Sequence, residues 1–179
     1  MKIFLDMDGV LANFVKGALE AHSLDVGMFL EKWGSYKGIF DICKVIKMSS
    51  TTFWEGIDSC SGFWENLEAH EWTENLMDLC SIYGDVFICT TPSLHSNSCA
   101  GKIRWLQKHF GYGFRKYILT EYKSLLAGSN RVLIDDRDKN ISSFHDAGGN
   151  GIVFPQIWNS RHDVADKMEY VKERLEDLK

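Results

Sequence analysis

Three short apolar runs, far apart in the chain, each end on acidic or hydroxyl side chains. Ile3-Phe4-Leu5 leads into Asp6-Met7-Asp8-Gly9, Val86-Phe87-Ile88-Cys89 into Thr90-Thr91, and Val132-Leu133-Ile134 into Asp135-Asp136. Continuously apolar runs of this length suit strands covered on both faces, as in a parallel sheet flanked by helices. In open parallel α/β sheets, ligands gather outside the carboxyl ends of the strands. If the three runs are neighbouring strands, two acidic pairs and a hydroxyl meet at one edge. Such a group of oxygens suits a divalent cation and a phosphate far better than it suits a core.

The expected strands are Lys2–Asp6, Asp85–Thr90, Lys116–Thr120, Arg131–Asp135 and Gly151–Phe154. Helical patterns lie between them. Thr73–Tyr83 aligns Leu76, Leu79 and Cys80, while Ser98–Phe110 aligns Ile103, Leu106 and Phe110, with Gly111 able to close the helix. Val164, Met168, Val171, Leu175 and Leu178 recur at spacings of four and three, which predicts one buried stripe on a carboxyl-terminal helix. This alternation predicts a doubly wound α/β sheet.

The stretch from Phe14 to Trp72 breaks the alternation and is too long for a crossover loop. It has helical patterns of its own at Phe14–Ala21, Gly27–Trp33 and Ser50–Trp54. It also concentrates aromatic residues: Trp33, Tyr36, Phe40, Phe53, Trp54, Phe63, Trp64 and Trp72. The expected division is a sheet domain of residues 1–13 and 73–179, with residues 14–72 forming a small helical cap above the carboxyl edge. No Pro- or Ser-rich linker separates them, so the cap should pack on the sheet domain.

At 179 residues the chain can bury a substantial core. Its formal charge of −5 comes with no basic stripe, which argues against a nucleic-acid polymer as partner. The five cysteines show no Cys-x-x-Cys spacing and are read as reduced thiols rather than disulfides or zinc ligands. Asp6 and Asp8 interrupt any signal-peptide-like run, and no segment approaches membrane-spanning length. The expected location is the cytoplasm, without a membrane partner. The charged face of the last helix favours a monomer or a homodimer.

Asp6 and Asp8 lie two apart, just past a buried strand, and Gly9 allows a sharp turn. One carboxylate there can attack phosphorus and form an acyl-phosphate, splitting a hard hydrolysis into two easier steps. The other can protonate the leaving oxygen and later take a proton from water. Two anions facing a phosphate need a counter-charge. Mg²⁺, a hard cation that prefers oxygen ligands, fits that need, and Asp135 and Asp136 can complete its shell. Thr90 adds a hydroxyl and nearby backbone N–H groups, and Lys123 a positive point charge. Lys102 falls near the start of the following helix, where the helix dipole also favours an anion. Taken singly, each piece has a plainer reading, as a turn, a loop opening, a helix cap or a surface lysine. It is their joint order along the chain that points to phosphoryl transfer.

These residues resemble the four motifs of the haloacid dehalogenase-like phosphohydrolases. The stretches DMDGVLANF (6–14), VFICTTP (86–92), ILTEYK (118–123) and LIDDRDKN (133–140) are similar to the 5′(3′)-deoxyribonucleotidases, including the pyrimidine-preferring type. The resemblance covers most of the sheet domain and is weak between about Gly17 and Ser59. It implies a Rossmann-like parallel sheet with a cap inserted after the first strand. It also implies a Mg²⁺-dependent phosphatase whose partner is a small nucleotide. Asp6 would be the nucleophile and Asp8 the general acid/base. The metal ligands would be the Asp6 side chain, the Asp8 backbone carbonyl and one acid of the Asp135/Asp136 pair, with Asp136 favoured. Thr90, Thr91, Lys102 and Lys123 would hold the phosphate, and Phe14 would help form the base pocket. Two departures stand out. Lys123 is followed by a longer loop, with Gly128, Ser129 and Asn130, and the base-stacking tryptophan has no clear counterpart. Trp33 and Trp64 are the candidates for it.

Substrate identity must come from the insertion, since a cap is what the leaving group touches. Base stacking on an aromatic residue is worth about 1–3 kcal/mol, but Trp and Phe can equally form the insertion's own core. The leading reading is a phosphatase of deoxyribonucleoside monophosphates. Alternatives are a sibling phosphatase of another small phosphomonoester and a non-catalytic relative that binds metal or phosphate. A signalling receiver domain uses similar groups, but there the Lys comes last, whereas Lys123 precedes Asp135.

Overall fold

The computed structural model describes residues 1–179. The elements in order are β1 (Lys2–Leu5), α1 (Phe14–Ala21), α2 (Val26–Trp33), α3 (Ile42–Ile46), α4 (Ser50–Ser59), α5 (Thr73–Tyr83), β2 (Asp85–Thr90), α6 (Ser96–Phe110), β3 (Tyr117–Leu119), β4 (Arg131–Asp135), α7 (Asp138–Asp146), β5 (Asn150–Val153) and α8 (Lys167–Glu176). All five strands are parallel, in the order β3-β2-β1-β4-β5. β1 is therefore central, with β2 and β4 as its neighbours. Leu5 pairs with Ile88 on one side and Ile134 on the other, so the three apolar runs stop at nearly the same level.

Alternate residues of these strands enter two cores. Ile3, Leu5, Ile88, Val132 and Ile134 join a cluster with Leu76, Trp105, Leu106, Val171 and Leu175 from α5, α6 and α8. Phe4, Cys89 and Leu133 face the opposite way and pack with Ile141 and Phe144 of α7. Burial on both faces explains why the strands read as unbroken apolar runs. Full burial of each such side chain contributes about 1.5–3 kcal/mol.

Between β1 and α5 the chain forms α1–α4. Each opens on a polar cap: Asn13, Asp25, Asp41 and Ser49 accept from the backbone N–H of Lys16, Met28, Cys43 and Thr52 respectively. The two ends of this segment run side by side. Asn13 N donates to Glu68 O (2.8 Å) and His70 N to Leu11 O (2.8 Å), while Trp72 Nε1 and Thr73 Oγ1 bond Val10 O and Leu11 O. The segment packs on the sheet body, as expected. Phe53, Ile57, Phe63 and Trp64 belong to the same cluster as β1 and β2.

Some boundaries differ from the sequence expectation. α4 runs to Ser59 rather than Trp54, and α6 begins two residues earlier than Ser98. α3 was not expected, because five residues are too few to show a helical period. In α7 only Ile141 and Phe144 are buried, which leaves little apolar signal. Val164 lies outside α8. The helix starts at Lys167, where Asp166 caps it, and its buried pair is Val171 and Leu175. No helix is long and apolar enough to cross a membrane.

Candidate active site

Asp6 emerges directly from β1, its backbone N bonded to Ile134 O at 2.9 Å. Lys123, on a short 3-10 turn after β3, is buried beneath it. Its Nζ lies 2.8 Å from Asp6 Oδ1 and 2.6 Å from Asp135 Oδ2. Asp135 also accepts from Arg137 N (2.8 Å) and Asn140 Nδ2 (2.9 Å), so both of its oxygens are engaged inside the protein. Asp136 differs. Its Oδ2 accepts from Trp158 Nε1 at 2.7 Å, and its side chain lines the large cavity. The carboxylates of Asp6, Asp135 and Asp136 offer oxygens that all lie within 4.8 Å of one another. Gly9 makes this possible: its φ is +77°, and a Cβ there would stand 2.2 Å from Asp136 Oδ2.

A second ion pair joins Asp8 to β2 and α6. Lys102 Nζ pairs with Asp8 Oδ2 and donates to Thr90 Oγ1 at 3.0 Å, and it lies 4.6 Å from the Trp64 ring centre. Lys102 is fully buried nearly two turns into α6, not near its start, because α6 begins at Ser96. Its position is set by Asp8 and Thr90 rather than by the helix dipole. Thr91 is exposed, lines the cavity, and donates its hydroxyl to Thr120 O at 3.1 Å. The other oxygen of Asp8, Oδ1, has no partner.

Four carboxylates, Asp6, Asp8, Asp135 and Asp136, thus face two ammonium groups, so with all four ionised the site would carry two uncompensated negative charges. Burial pushes Asp6 up to about 7, against the pull of Lys123. Burial, then Asp135 and Asp6, hold Asp136 well above the usual carboxylate range. Burial opposes the charge on Lys123, but Asp135 and Asp6 outweigh it and raise its value. An oxygen-only donor set with uncompensated charge is the chemistry that holds a hard divalent cation. The residues present therefore fit Mg²⁺.

Above these acids lies a cavity of about 880 Å³. Asp6, Asp8 and Asp136 line it from the sheet, and Phe14, Phe40, Trp54 and Trp64 from the helical segment. Phe14 stacks on Trp64, with ring centres 5.7 Å apart and planes at 20°. Thr90, Lys102, Lys123 and Asp135 sit behind this lining. Trp33 also lines the cavity, as a nearly closed face. It is 1% exposed, donates its indole N–H to Ile39 O, and is wedged against Trp158. Trp54 and Phe40, by contrast, are 37% and 45% exposed. Sequence reasoning missed Trp158, Asn159 and Gln156, whose loop after β5 carries no motif. Gln156 Nε2 donates to Gly9 O, and Asn159 Nδ2 to Asp136 O at 2.8 Å. The only signal was a run of polar and aromatic residues just past a strand.

A parallel sheet with acids at its carboxyl edge and helices inserted after the first strand defines the haloacid dehalogenase-like fold. A haloacid dehalogenase-like family hydrolase from Xanthomonas campestris superposes with a TM-score of 0.60 at 14% identity, over 99% of this chain and 93% of the other. Within that class, residues 1–173 match the family described as 5′ nucleotidase, deoxy (Pyrimidine), cytosolic type C protein, and the chain belongs to that family. It is 30% identical over 148 residues to the 5′(3′)-deoxyribonucleotidase, cytosolic type, of Homo sapiens, covering 77% of this chain and 71% of the relative. It is 31% identical over 144 residues to a putative 5′(3′)-deoxyribonucleotidase of Bordetella pertussis, covering 76% and 74%. The protein is thus a phosphoric monoester hydrolase.

Proposed function

We propose that the protein is a Mg²⁺-dependent phosphatase of deoxyribonucleoside monophosphates with a preference for pyrimidines. The observation that carries this reading is one cavity bounded by Asp6, Asp8 and Asp136 on one side and by Phe14, Trp54 and Trp64 on the other. The acids match phosphate chemistry, and the aromatic wall matches a base.

Asp6 attacks phosphorus through a carboxylate oxygen, and the bond to the nucleoside oxygen breaks as Asp8 delivers its proton to that oxygen. Water then attacks the aspartyl-phosphate, Asp8 takes its proton, and inorganic phosphate leaves with Asp6 restored. Lys123 fixes the Asp6 carboxylate, and Lys102 fixes Asp8. Together they raise the positive potential where phosphoryl charge builds up. Thr91, at the cavity wall, offers its backbone N–H to the phosphate oxygens, while the buried Thr90 hydroxyl accepts from Lys102. The side chains of Asp6 and Asp136 and the backbone carbonyl of Asp8 would hold Mg²⁺, which would neutralise the phosphate charge when bound. Asp136 is preferred over Asp135 because both oxygens of Asp135 are already engaged and only Asp136 lines the cavity.

Residues 14–72 act as the cap that confines the leaving nucleoside, with Phe14 at the boundary between phosphate and base. Five free cysteines are consistent with work in the cytoplasm. A nucleotide panel with phosphate-release detection, run with Mg²⁺ and with EDTA, tests the reading. Hydrolysis of dUMP and dTMP that stops in EDTA is expected. Ready turnover of sugar phosphates without hydrolysis of dUMP or dTMP would overturn it.

A further inference from the structure

Trp158 occupies the loop after β5, apart from the sequence motifs, yet it touches both halves of the site. Its indole N–H donates to Asp136 Oδ2 at 2.7 Å. Its ring packs against Trp33 of α2, with centres 5.4 Å apart at 42°, inside a cluster that includes Val15, Leu19, Phe29 and Val45. Neighbouring residues reinforce both attachments. Asn159 Nδ2 holds the Asp136 carbonyl, and Gly38 N, from the helical segment, donates to Ile157 O at 3.0 Å. One short loop therefore bonds to a cavity-lining acid and is packed into the core of α1–α3.

The arrangement has a chemical consequence. A carboxylate rotates freely unless a fixed donor holds one oxygen, and donors of this kind commonly set metal affinity by 10–100-fold. Trp158 is 6% exposed and packed on Trp33, which restrains its ring. With Oδ2 pinned, the Asp136 carboxylate is held in one orientation at the cavity.

We propose that Trp158 is a positioning residue: anchored by its packing on Trp33, it aims the Asp136 carboxylate for cation binding and makes that binding depend on the seating of the helical segment. The inference rests on the cation reading given under Proposed function.

The test is calorimetric titration of Mg²⁺ into the full chain without substrate. Trp158→Phe keeps an aromatic ring in the cluster and removes the donor together with part of the indole's volume. Its Kd for Mg²⁺ should rise about tenfold or more, and activity lost at low Mg²⁺ should return as Mg²⁺ is raised. Trp33→Leu, which removes no hydrogen bond to an acid, should weaken Mg²⁺ binding about twofold or more through the loss of the ring pair. If Trp33→Leu does not fold, Trp158→Phe decides alone. Wild-type affinity in Trp158→Phe overturns the proposal while leaving the cation reading intact. An absence of Mg²⁺ binding by the wild-type protein overturns both.

Discussion

Lys123 Nζ lies 2.6 Å from Asp135 Oδ2, and both side chains are buried, although twelve positions separate them in the chain. The same ammonium reaches Asp6, so one cation sits between β1 and β4 at the level where the strands end. A buried charge that loses its partner costs far more than an exposed one.

Lys123→Met should therefore destabilise the protein by about 3–5 kcal/mol, because it strands two buried carboxylates. Urea unfolding at neutral pH measures this. Lys123→Arg is not expected to rescue it, since the planar fork does not fit a site built for a point charge. A loss below about 1 kcal/mol in the Met variant would contradict the role given to this ammonium.

Asp6→Asn should lower phosphate release by several orders of magnitude while the thermal midpoint stays close to that of the wild type. The amide preserves shape and accepts the same bond from Met7 N, now 2.7 Å from Asp6 Oδ1. Normal turnover in this variant would remove Asp6 from the nucleophile position.

Gly101 lets α6 approach the cavity wall. A Cβ there would stand 2.5 Å from the Trp64 Cβ, which cannot swing aside as a flexible tip can. Gly101→Ala should cost about 1–3 kcal/mol through overpacking. It should also raise KM for nucleotides, because Trp64 stacks on Phe14 and lies over Lys102. An unchanged KM would separate Trp64 from substrate binding.

His70 predicts an acid-sensitive fold. Its Nε2 is buried without a partner, and its ring stacks on Trp72 at 4.3 Å. Burial, then the charge on Lys167, lowers its value from 6.5 to about 4. The unfolded chain therefore takes up the proton first as pH falls. The contribution of His70 is intact above pH 6.5 and drains away between 6.5 and about 4. The upper bound is about 3–4 kcal/mol at 1.36 kcal/mol per pKa unit. His70→Gln should flatten this part of the stability–pH curve, measured by urea unfolding across the range. An unchanged slope would assign the acid sensitivity to other groups.

The acids at the edge were legible because strand, turn and carboxylate are neighbours in the chain. Asp6 follows β1 and Asp135 ends β4, so the apolar runs placed them. The helical segment was legible from its helical patterns and aromatic density, apart from α3, which is too short to show a period. Trp33 shows the limit of the sequence signal. Aromatic density marks a stacking surface and a small core equally well, and only the packing against Trp158 separates the two.

Local order in the chain determined the parallel sheet, the carboxyl-edge position of Asp6, Asp8, Thr90 and Asp136, and the presence of a helical insertion, since each depends on residues a few positions apart. Tertiary structure alone decided the rest. It buried Lys102 and Lys123 against carboxylates, engaged Asp135 and left Asp136 lining the cavity, and brought Trp158 between Asp136 and Trp33. Hydrogen bonds and ion pairs between distant segments are set by which surfaces meet on folding, and no spacing along the polymer encodes them.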